Sequence, residues 1–305
     1  MTNNIKFKNG RITTACLLAA GTGSRLYPLT NSAPKCLTEV NGRPILEELL
    51  YCLQQNGFKR LVIVVGHFEQ SIRRFLDEYE GDLTIDYIVN PIYKTTNNIY
   101  SLWLTKEIIQ ESFLLIESDI IFDASLLGDL LYPNKIAISH MLPWMNGTTV
   151  TLDSLRRVSA FGTSRNMRNV VYKTVNIYSL SWSSWQKIIV YLNRYIAFDN
   201  LNYYYEAVFR QMIADGSLDF DSVFFDAECW YEVDTLEDLS EAERISLKIN
   251  RNFRISQPEY INSSLEPLTH ISHLKRNYPD YSSAMKASNR AISEFPMKQT
   301  RESNG

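Results

Sequence analysis

The chain has 305 residues, of which 45% are hydrophobic and 21% charged, enough for one large α/β domain or two small ones. Its formal net charge of -3 offers no surface for polyanions, so nucleic acid is not an expected partner. No apolar segment approaches the roughly 20 residues of a membrane helix, and Met1–Lys8 is too polar for a signal peptide. The four cysteines form no C-x-x-C pair, as in proteins with reduced thiols. These features predict a cytoplasmic protein with no membrane partner.

A glycine-rich loop follows the first predicted strand, the apolar run Ala15–Ala20. Glycines let backbone N–H groups close around phosphate oxygens, and Arg25 and Lys35 add charge-assisted hydrogen bonds. A Walker A motif is absent, and the dinucleotide fingerprint needs a third glycine where Leu26 stands. The loop therefore predicts a nucleoside triphosphate site, with an ordinary strand-to-helix turn as the alternative. The predicted nucleotide-binding residues are Leu18, Ala19, Ala20, Gly21, Thr22, Gly23, Arg25 and Lys35.

Strand and helix patterns alternate along the rest of the chain. Strands are predicted at 61–65, 83–89, 113–116, 135–139, 148–152, 170–180, 223–225 and 230–233, and helices at 45–56, 68–79, 98–108, 183–195, 203–213 and 236–248. Residues 156–168 are predicted to form a polar loop. This alternation predicts an α/β fold with a Rossmann-like, doubly wound, mostly parallel sheet in one catalytic domain, 12–248. Residues 249–305 are predicted to be a C-terminal tail, disordered or with short helices.

Two aspartates follow predicted strands, at the ends where open α/β sheets place their ligands. Asp119 comes just after the run 113–116, and Glu117 lies on the same face if that strand continues. Asp234 follows the strand at 230–233 and could equally be the N-cap of the next helix. Because a bound triphosphate needs a divalent cation, and Mg²⁺ prefers one or two carboxylates, we predict a Mg²⁺ site here.

The loop resembles the signature L-A-A-G-x-G-x-R-L, followed by P-K, of nucleotidyltransferases that make NDP-sugars and CDP-alcohols. Other motifs narrow the resemblance to cytidylyltransferases that activate phosphocholine and related aminoalkyl phosphates or phosphonates. They are N-P at 90–91, T-N-N-I-Y-S-L-W at 96–103, K-T-V-N-I-Y at 173–178, Y-E at 205–206 and Y-E-V-D-T at 231–235. The resemblance implies a GT-A-like fold, and Mg²⁺ held by Asp119, Glu232 and Asp234. Glu117-Ser118, just before the first aspartate, is a local variant of the family pattern.

The resemblance also implies an activity, the transfer of CMP from CTP to a phosphorylated amine with release of pyrophosphate. The implied catalytic residues are Arg25, Lys35, Asp119 and Asp234. The implied acceptor-binding residues are Asn98, Tyr100, Lys173, Tyr178 and Glu206. Aromatic rings could hold a quaternary ammonium through cation–π contacts, which favours phosphocholine among the acceptors. Lys173 would contact the acceptor phosphate, unless it is a surface lysine of an edge strand.

Two other functions stay open at this point. A sugar-1-phosphate nucleotidyltransferase shares the loop but needs polar residues that read sugar hydroxyls. A non-catalytic, nucleotide-sensing relative should have lost a metal carboxylate or Arg25, and this chain has both. The sequence identifies neither the base nor the precise acceptor, and a homodimer is possible.

Overall fold

The computed structural model describes residues 10–143, 145–162 and 170–256, in which a mixed central sheet has helices on both faces. The strands, β1 to β13 in order, are Thr14–Ala19, Glu39–Val40, Arg43–Pro44, Arg60–Val65, Thr84–Val89, Phe113–Glu117, Ile120–Phe122, Lys135–His140, Thr149–Leu152, Val158–Gly162, Tyr172–Leu180, Asp221–Phe224 and Trp230–Glu232. The α-helices, α1 to α6, are Ile45–Gln55, Glu69–Asp77, Asn98–Leu104, Trp182–Ala197, Glu206–Ala214 and Leu236–Ser256. None of the helices described is both long and apolar enough to cross a membrane.

The centre of the sheet is parallel, with β1 between β4 and β6 and with β5 beyond β4. Successive side chains of β1 point to opposite faces, as they must in a strand. Ala15 and Leu17 therefore pack in a core with α1 and α2, whereas Cys16 and Leu18 pack in a second core with α3, α4 and α5. Burial on both faces explains why these strands are continuous apolar runs. The predicted Rossmann-like α/β class is confirmed.

One long strand, β11, joins this parallel part to the rest of the sheet. It is antiparallel to β6, β8 and β9, and β12 lies beyond β8. Its register shifts between Thr174 and Tyr178, where Asn176 adopts a left-handed conformation with φ of 61°. The bulge lets one half of β11 pair with β9 and the other half with β6. Lys173 pairs with Ser139 of β8 on one side and Thr149 of β9 on the other, so it lies on an interior strand rather than at the edge of the sheet.

Two predicted boundaries differ from the structure. Residues 158–162 form the strand β10, antiparallel to β9, where the sequence predicts a loop. Asp153 accepts hydrogen bonds from the backbone N–H groups of Leu155 and Arg157, and this tight turn returns the short, weakly patterned segment to β9. The last helix continues past its predicted end at Lys248, so the predicted domain boundary falls inside α6. Most of the predicted tail, residues 257–305, lies outside the described residues.

A small antiparallel pair, β7 with β13, stands apart from the main sheet and leads into α6. Thr235 caps this helix, since its Oγ1 accepts the Asp238 N–H at 3.2 Å while Asp238 Oδ2 accepts the Thr235 N–H at 2.7 Å. This reciprocal pair leaves the side chain of Asp234 free of a capping role. The alternative that Asp234 is the N-cap is therefore wrong.

Candidate active site

A cleft of about 390 Å³ opens at the carboxyl ends of β1 and β6. Every residue that the sequence predicts to bind nucleotide lines this cleft, and so do Asn98, Asp119 and Asp234. Parallel strands bring these residues together because their carboxyl ends meet at one edge of the sheet. The cleft is thus the candidate active site, and the part that each residue plays there remains a prediction.

The glycine loop is shaped for close approach. Gly23 has a φ of 62°, and a Cβ there would lie 2.9 Å from the Cβ of Lys35, so both the backbone and the packing require glycine. Thr30 fixes the loop because its hydroxyl donates to the Gly23 carbonyl at 2.9 Å. At Gly21, in contrast, a Cβ would meet nothing within 4 Å, which leaves space over the loop for a ligand.

Backbone pairing places the two aspartates side by side. β7 and β13 pair directly after Asp119 and before Asp234, and the Val233 N–H donates to the Asp119 carbonyl at 2.8 Å. The Nζ atom of Lys35 then lies 2.6 Å from Asp119 Oδ2 and 2.5 Å from Asp234 Oδ1. Arg25 approaches from the solvent side, with its Nη1 2.8 Å from Asp234 Oδ2. The four predicted catalytic residues therefore form one connected cluster.

Lys35 is charged in this cluster. Burial alone would lower its pKa, but the carboxylates of Asp119 and Asp234 outweigh burial and raise the pKa above its ordinary value. Its ammonium group thus neutralises part of the negative charge that two adjacent carboxylates bring into the cleft.

The same carboxylates fit a magnesium ion. Oxygen atoms of Asp119, Glu232 and Asp234 all lie within 4.8 Å of one another. Asp119 Oδ1 is buried and has no hydrogen-bond partner, so it is an anionic oxygen available to a cation. Mg²⁺ favours such hard oxygen donors. Asp119 and Asp234 would hold the ion, with Glu232 close by.

Glu232 shares its carboxylate with a buried lysine. Its Oε2 lies 3.0 Å from Lys173 Nζ, and its Oε1 accepts from Asn176 Nδ2 at 3.1 Å. The side chain of Lys173 is only 3% exposed, because β11 is an interior strand and Gly147 covers the ammonium group. The alternative of a surface lysine is wrong. Burial raises the pKa of Glu232, although Lys173 acts in the opposite direction.

Further polar groups lie deeper, where β6 meets α3 and α5. Asn98 Nδ2 donates to Glu117 Oε1 at 3.0 Å, and Asn98 Oδ1 accepts the Tyr205 N–H at 3.0 Å. Burial, Asp119 and Glu206 all raise the pKa of Glu117 well above its ordinary value. Glu206 is 6% exposed, and burial raises its pKa to about 7. The predicted acceptor residues Asn98 and Glu206 are thus neighbours in this buried polar group, whereas Lys173 is held by Glu232.

The two tyrosines predicted to bind the acceptor do not line the cleft. Tyr100 stacks on Trp103 along α3, with ring centroids 5.4 Å apart. Tyr178 is fully buried and packs edge-to-face against Tyr205 and Phe209, at 5.7 and 5.2 Å. Tyr178 thus packs in the second core, whereas Tyr100 is half-buried and uses its ring against Trp103. The expected aromatic cage around a quaternary ammonium is therefore not formed by these residues.

Several residues that line the cleft lie outside the sets predicted to bind nucleotide, acceptor or metal. Asn90 is buried, donates from its Nδ2 to Thr96 and Ser101, both at 3.1 Å, and so holds the turn after β5. Tyr93 of this turn and Tyr204, which precedes α5, also line the cleft. The position of Asn90 directly after a predicted strand was the available signal, since ligand-binding loops follow such strands. The two tyrosines carry no periodic signal.

Residues 14–135 match the protein family described as nucleotidyl transferase. This part of the chain is a nucleotidyltransferase domain. A solved structure of a CTP:phosphocholine cytidylyltransferase from Streptococcus pneumoniae is similar over 78% of this chain and 100% of that one, with a TM-score of 0.69 and 21% identity. The likeness shows that the domain and its surroundings have the fold of a nucleotidyltransferase.

Two curated relatives resemble the chain in sequence. A CMP-5'-(3-aminopropyl)phosphonate synthase from Streptomyces rubellomurinus is 31% identical over 267 residues, which are 83% of this chain and 40% of the relative. A choline-phosphate cytidylyltransferase from Streptococcus pneumoniae is 33% identical over 116 residues, 38% of this chain and 49% of the relative. The aligned segments thus cover less than half the length of either relative.

Proposed function

We propose that this protein transfers CMP from CTP to a small phosphorylated or phosphonylated amine and releases pyrophosphate. One observation carries the proposal: Asp119 lies between two different sets of groups. On one side are the glycine loop, Lys35 and Asp234, which suit a triphosphate. On the other side is Glu117, a partly buried side chain that lines the same cleft, accepts a hydrogen bond from Asn98 and suits a cationic acceptor. The names of the two relatives support cytidine as the base and an amine as the acceptor.

The reaction needs no protein nucleophile. An oxygen of the acceptor phosphate or phosphonate attacks the α-phosphorus of CTP and forms the new P–O bond. The bond between the α-phosphorus and the bridging oxygen breaks, and its electron pair leaves with pyrophosphate. Bound Mg²⁺ supplies positive charge to the phosphate oxygens.

The chain's own residues position the reactants and neutralise charge. Arg25 and the backbone amides of Gly21–Gly23 hold the phosphates that leave. The Lys35 ammonium neutralises charge on the α-phosphate. Lys173 and Asn176 occupy both carboxylate oxygens of Glu232. Lys173 therefore acts on the acceptor indirectly: it fixes the position of Glu232, and its ammonium group adds positive charge to the acceptor side of the cleft.

A pyrophosphate-release screen tests the proposal. The full chain is mixed with Mg²⁺, each of the four NTPs, and 3-aminopropylphosphonate, 2-aminoethylphosphonate, phosphoethanolamine, phosphocholine or glucose 1-phosphate. We expect release with CTP and an amine, and loss of release in Asp119→Asn. Best activity with glucose 1-phosphate would replace the proposal by sugar-1-phosphate nucleotidyl transfer. Nucleotide binding without release for any pair would favour a nucleotide sensor.

A further inference from the structure

Two glutamates from different elements face the same buried region. Glu117 ends β6 and lines the cleft, whereas Glu206 begins α5 and lies behind it, 6% exposed. Asn98 ties the two elements together, because its amide nitrogen donates to Glu117 and its oxygen accepts from the backbone of Tyr205. The spacing of β6 and α5 beside the cleft is therefore fixed by hydrogen bonds.

This region contains a buried carboxylate oxygen without a partner. Glu206 Oε2 is inaccessible to solvent and accepts no hydrogen bond. The nearest cation, Lys173, is engaged by Glu232 and by the Thr174 carbonyl. Burying unpartnered acceptors and like charges costs free energy in the protein alone, and a ligand that brings positive charge and donors removes that cost.

We infer that Glu117, together with Glu206, binds the primary ammonium group of the acceptor and selects it over a trimethylammonium group. The inference rests on the proposed function. A primary ammonium has three N–H donors, which match carboxylate and hydroxyl oxygens, whereas a trimethylammonium group has none and needs open aromatic faces. The rings of Tyr178 and Tyr205 are packed in the core, so these two residues offer no open face to such a group. The rings that line the cleft, Tyr93 and Tyr204, belong to the turn after β5 and to the segment before α5 rather than to the strand that carries Glu117. Glu117 is thus a specificity-determining residue.

The Glu117→Gln variant tests the inference. It keeps the size of the side chain and the oxygen that accepts from Asn98, but it removes the charge. We expect the wild type to prefer phosphoethanolamine over phosphocholine by at least about tenfold in kcat/KM. In the variant, KM for phosphoethanolamine and 3-aminopropylphosphonate should rise about 10- to 100-fold, while phosphocholine changes less than about threefold. Glu107→Gln, an exposed glutamate that follows α3, is the matched control and should change nothing.

Other outcomes separate the inference from the function on which it rests. Absence of CMP transfer to every acceptor would contradict the proposed function itself. Transfer with a wild-type preference for phosphocholine, or an equal loss on all acceptors including propylphosphonate, would overturn the role of Glu117. Calorimetric titration with 3-aminopropylphosphonate in the presence of Mg²⁺ and CMP gives a readout besides turnover. If Glu117→Gln does not fold, Glu206→Gln must show the same loss of selectivity, or the inference fails.

Discussion

Lys35 determines how two aspartates can share one cleft. The side chains of Asp119 and Asp234 are only 16 and 13% exposed, and like charges at such positions repel. An ammonium group within hydrogen-bond distance of both turns the repulsion into attraction. The same ammonium and carboxylates are the groups that a triphosphate and its metal ion require. The charges that stabilise this cluster without ligand are thus the charges proposed to act in the reaction.

Removing either aspartate charge should slow the reaction. For Asp119→Asn or Asp234→Asn we expect kcat to fall by at least about 100-fold, because charge neutralisation at the phosphates is lost. Steady-state pyrophosphate release at saturating CTP measures the effect.

Asp129→Asn is the matched control, since Asp129 is an exposed aspartate away from the cleft. It should leave kcat unchanged, and circular dichroism should show all three variants folded. Turnover close to wild type in both cleft variants would refute the roles of Asp119 and Asp234.

Arg25 should matter through the nucleotide rather than through folding. Its side chain is 62% exposed and makes one ion pair, to Asp234. We expect Arg25→Ala to lower kcat/KM for CTP by about 10- to 100-fold, because a charge-assisted contact to the phosphates is removed. Arg244→Ala removes an arginine that is 53% exposed and also paired with a single carboxylate, Glu241. Equal, small effects of the two substitutions would show that the glycine loop is merely structural.

At the scale of elements, the site depends on a close approach of three segments: the end of β4, the loop after β1 and the turn after β5. Gly66 follows β4, and its neighbour His67 donates its backbone N–H to the Ala20 carbonyl of the nucleotide loop at 3.1 Å. A Cβ on Gly66 would lie 2.9 Å from that carbonyl oxygen and 3.0 Å from Tyr93. The nucleotide loop and the turn after β5 can therefore approach this closely only if position 66 is a glycine.

Gly66→Ala should destabilise this junction. We expect the free energy of unfolding to fall by about 1–3 kcal/mol, because backbone must move to admit the methyl group. Urea denaturation measures the change. In Gly128→Ala the added Cβ meets nothing within 4 Å, so this control should be neutral or slightly stabilising. Equal stability of the two variants would contradict the close approach at Gly66.

At the scale of the whole molecule, Glu206 links stability to pH. It begins α5, whose apolar side chains pack in the second core, and the charged groups that act on it are Lys173, Glu232, Arg210 and Glu117. Burial is the largest effect and raises its pKa from 4.5 to about 7. Between these values the folded protein binds a proton that the unfolded chain does not. The contribution of Glu206 to the free energy of unfolding therefore falls as pH rises from about 4.5 to about 7.

Glu206→Gln should remove this fall. We expect the variant to match the wild type near pH 5 and to exceed its free energy of unfolding at pH 8 by on the order of 2 to 3 kcal/mol. Urea unfolding at the two pH values measures the difference. Glu228→Gln, whose side chain is 71% exposed, is the control and should follow the wild type at both values. A variant that is less stable than the wild type at pH 8 would contradict the assignment.

The sequence by itself determined the parts that depend on local pattern. Apolar runs such as β1 and β4 have the composition of strands buried on both faces, and the glycine loop has backbone requirements that few residues satisfy. The positions of Asp119 and Asp234 directly after strands were sufficient to place both at the candidate site. These features are encoded within a few residues of one another, so they can be predicted from the chain alone.

The tertiary structure alone decided what those residues contact. Asp119 and Asp234 meet because β7 pairs with β13, and Lys173 is buried because β11 lies between β8 and β9 at that position. In the sequence, Tyr178 cannot be distinguished from a tyrosine that binds a cation. In the structure, its ring packs against core residues such as Phe209. Such outcomes depend on pairing and burial between segments far apart in sequence. Local pattern does not fix them, because the same residues suit either environment until their neighbours are in place.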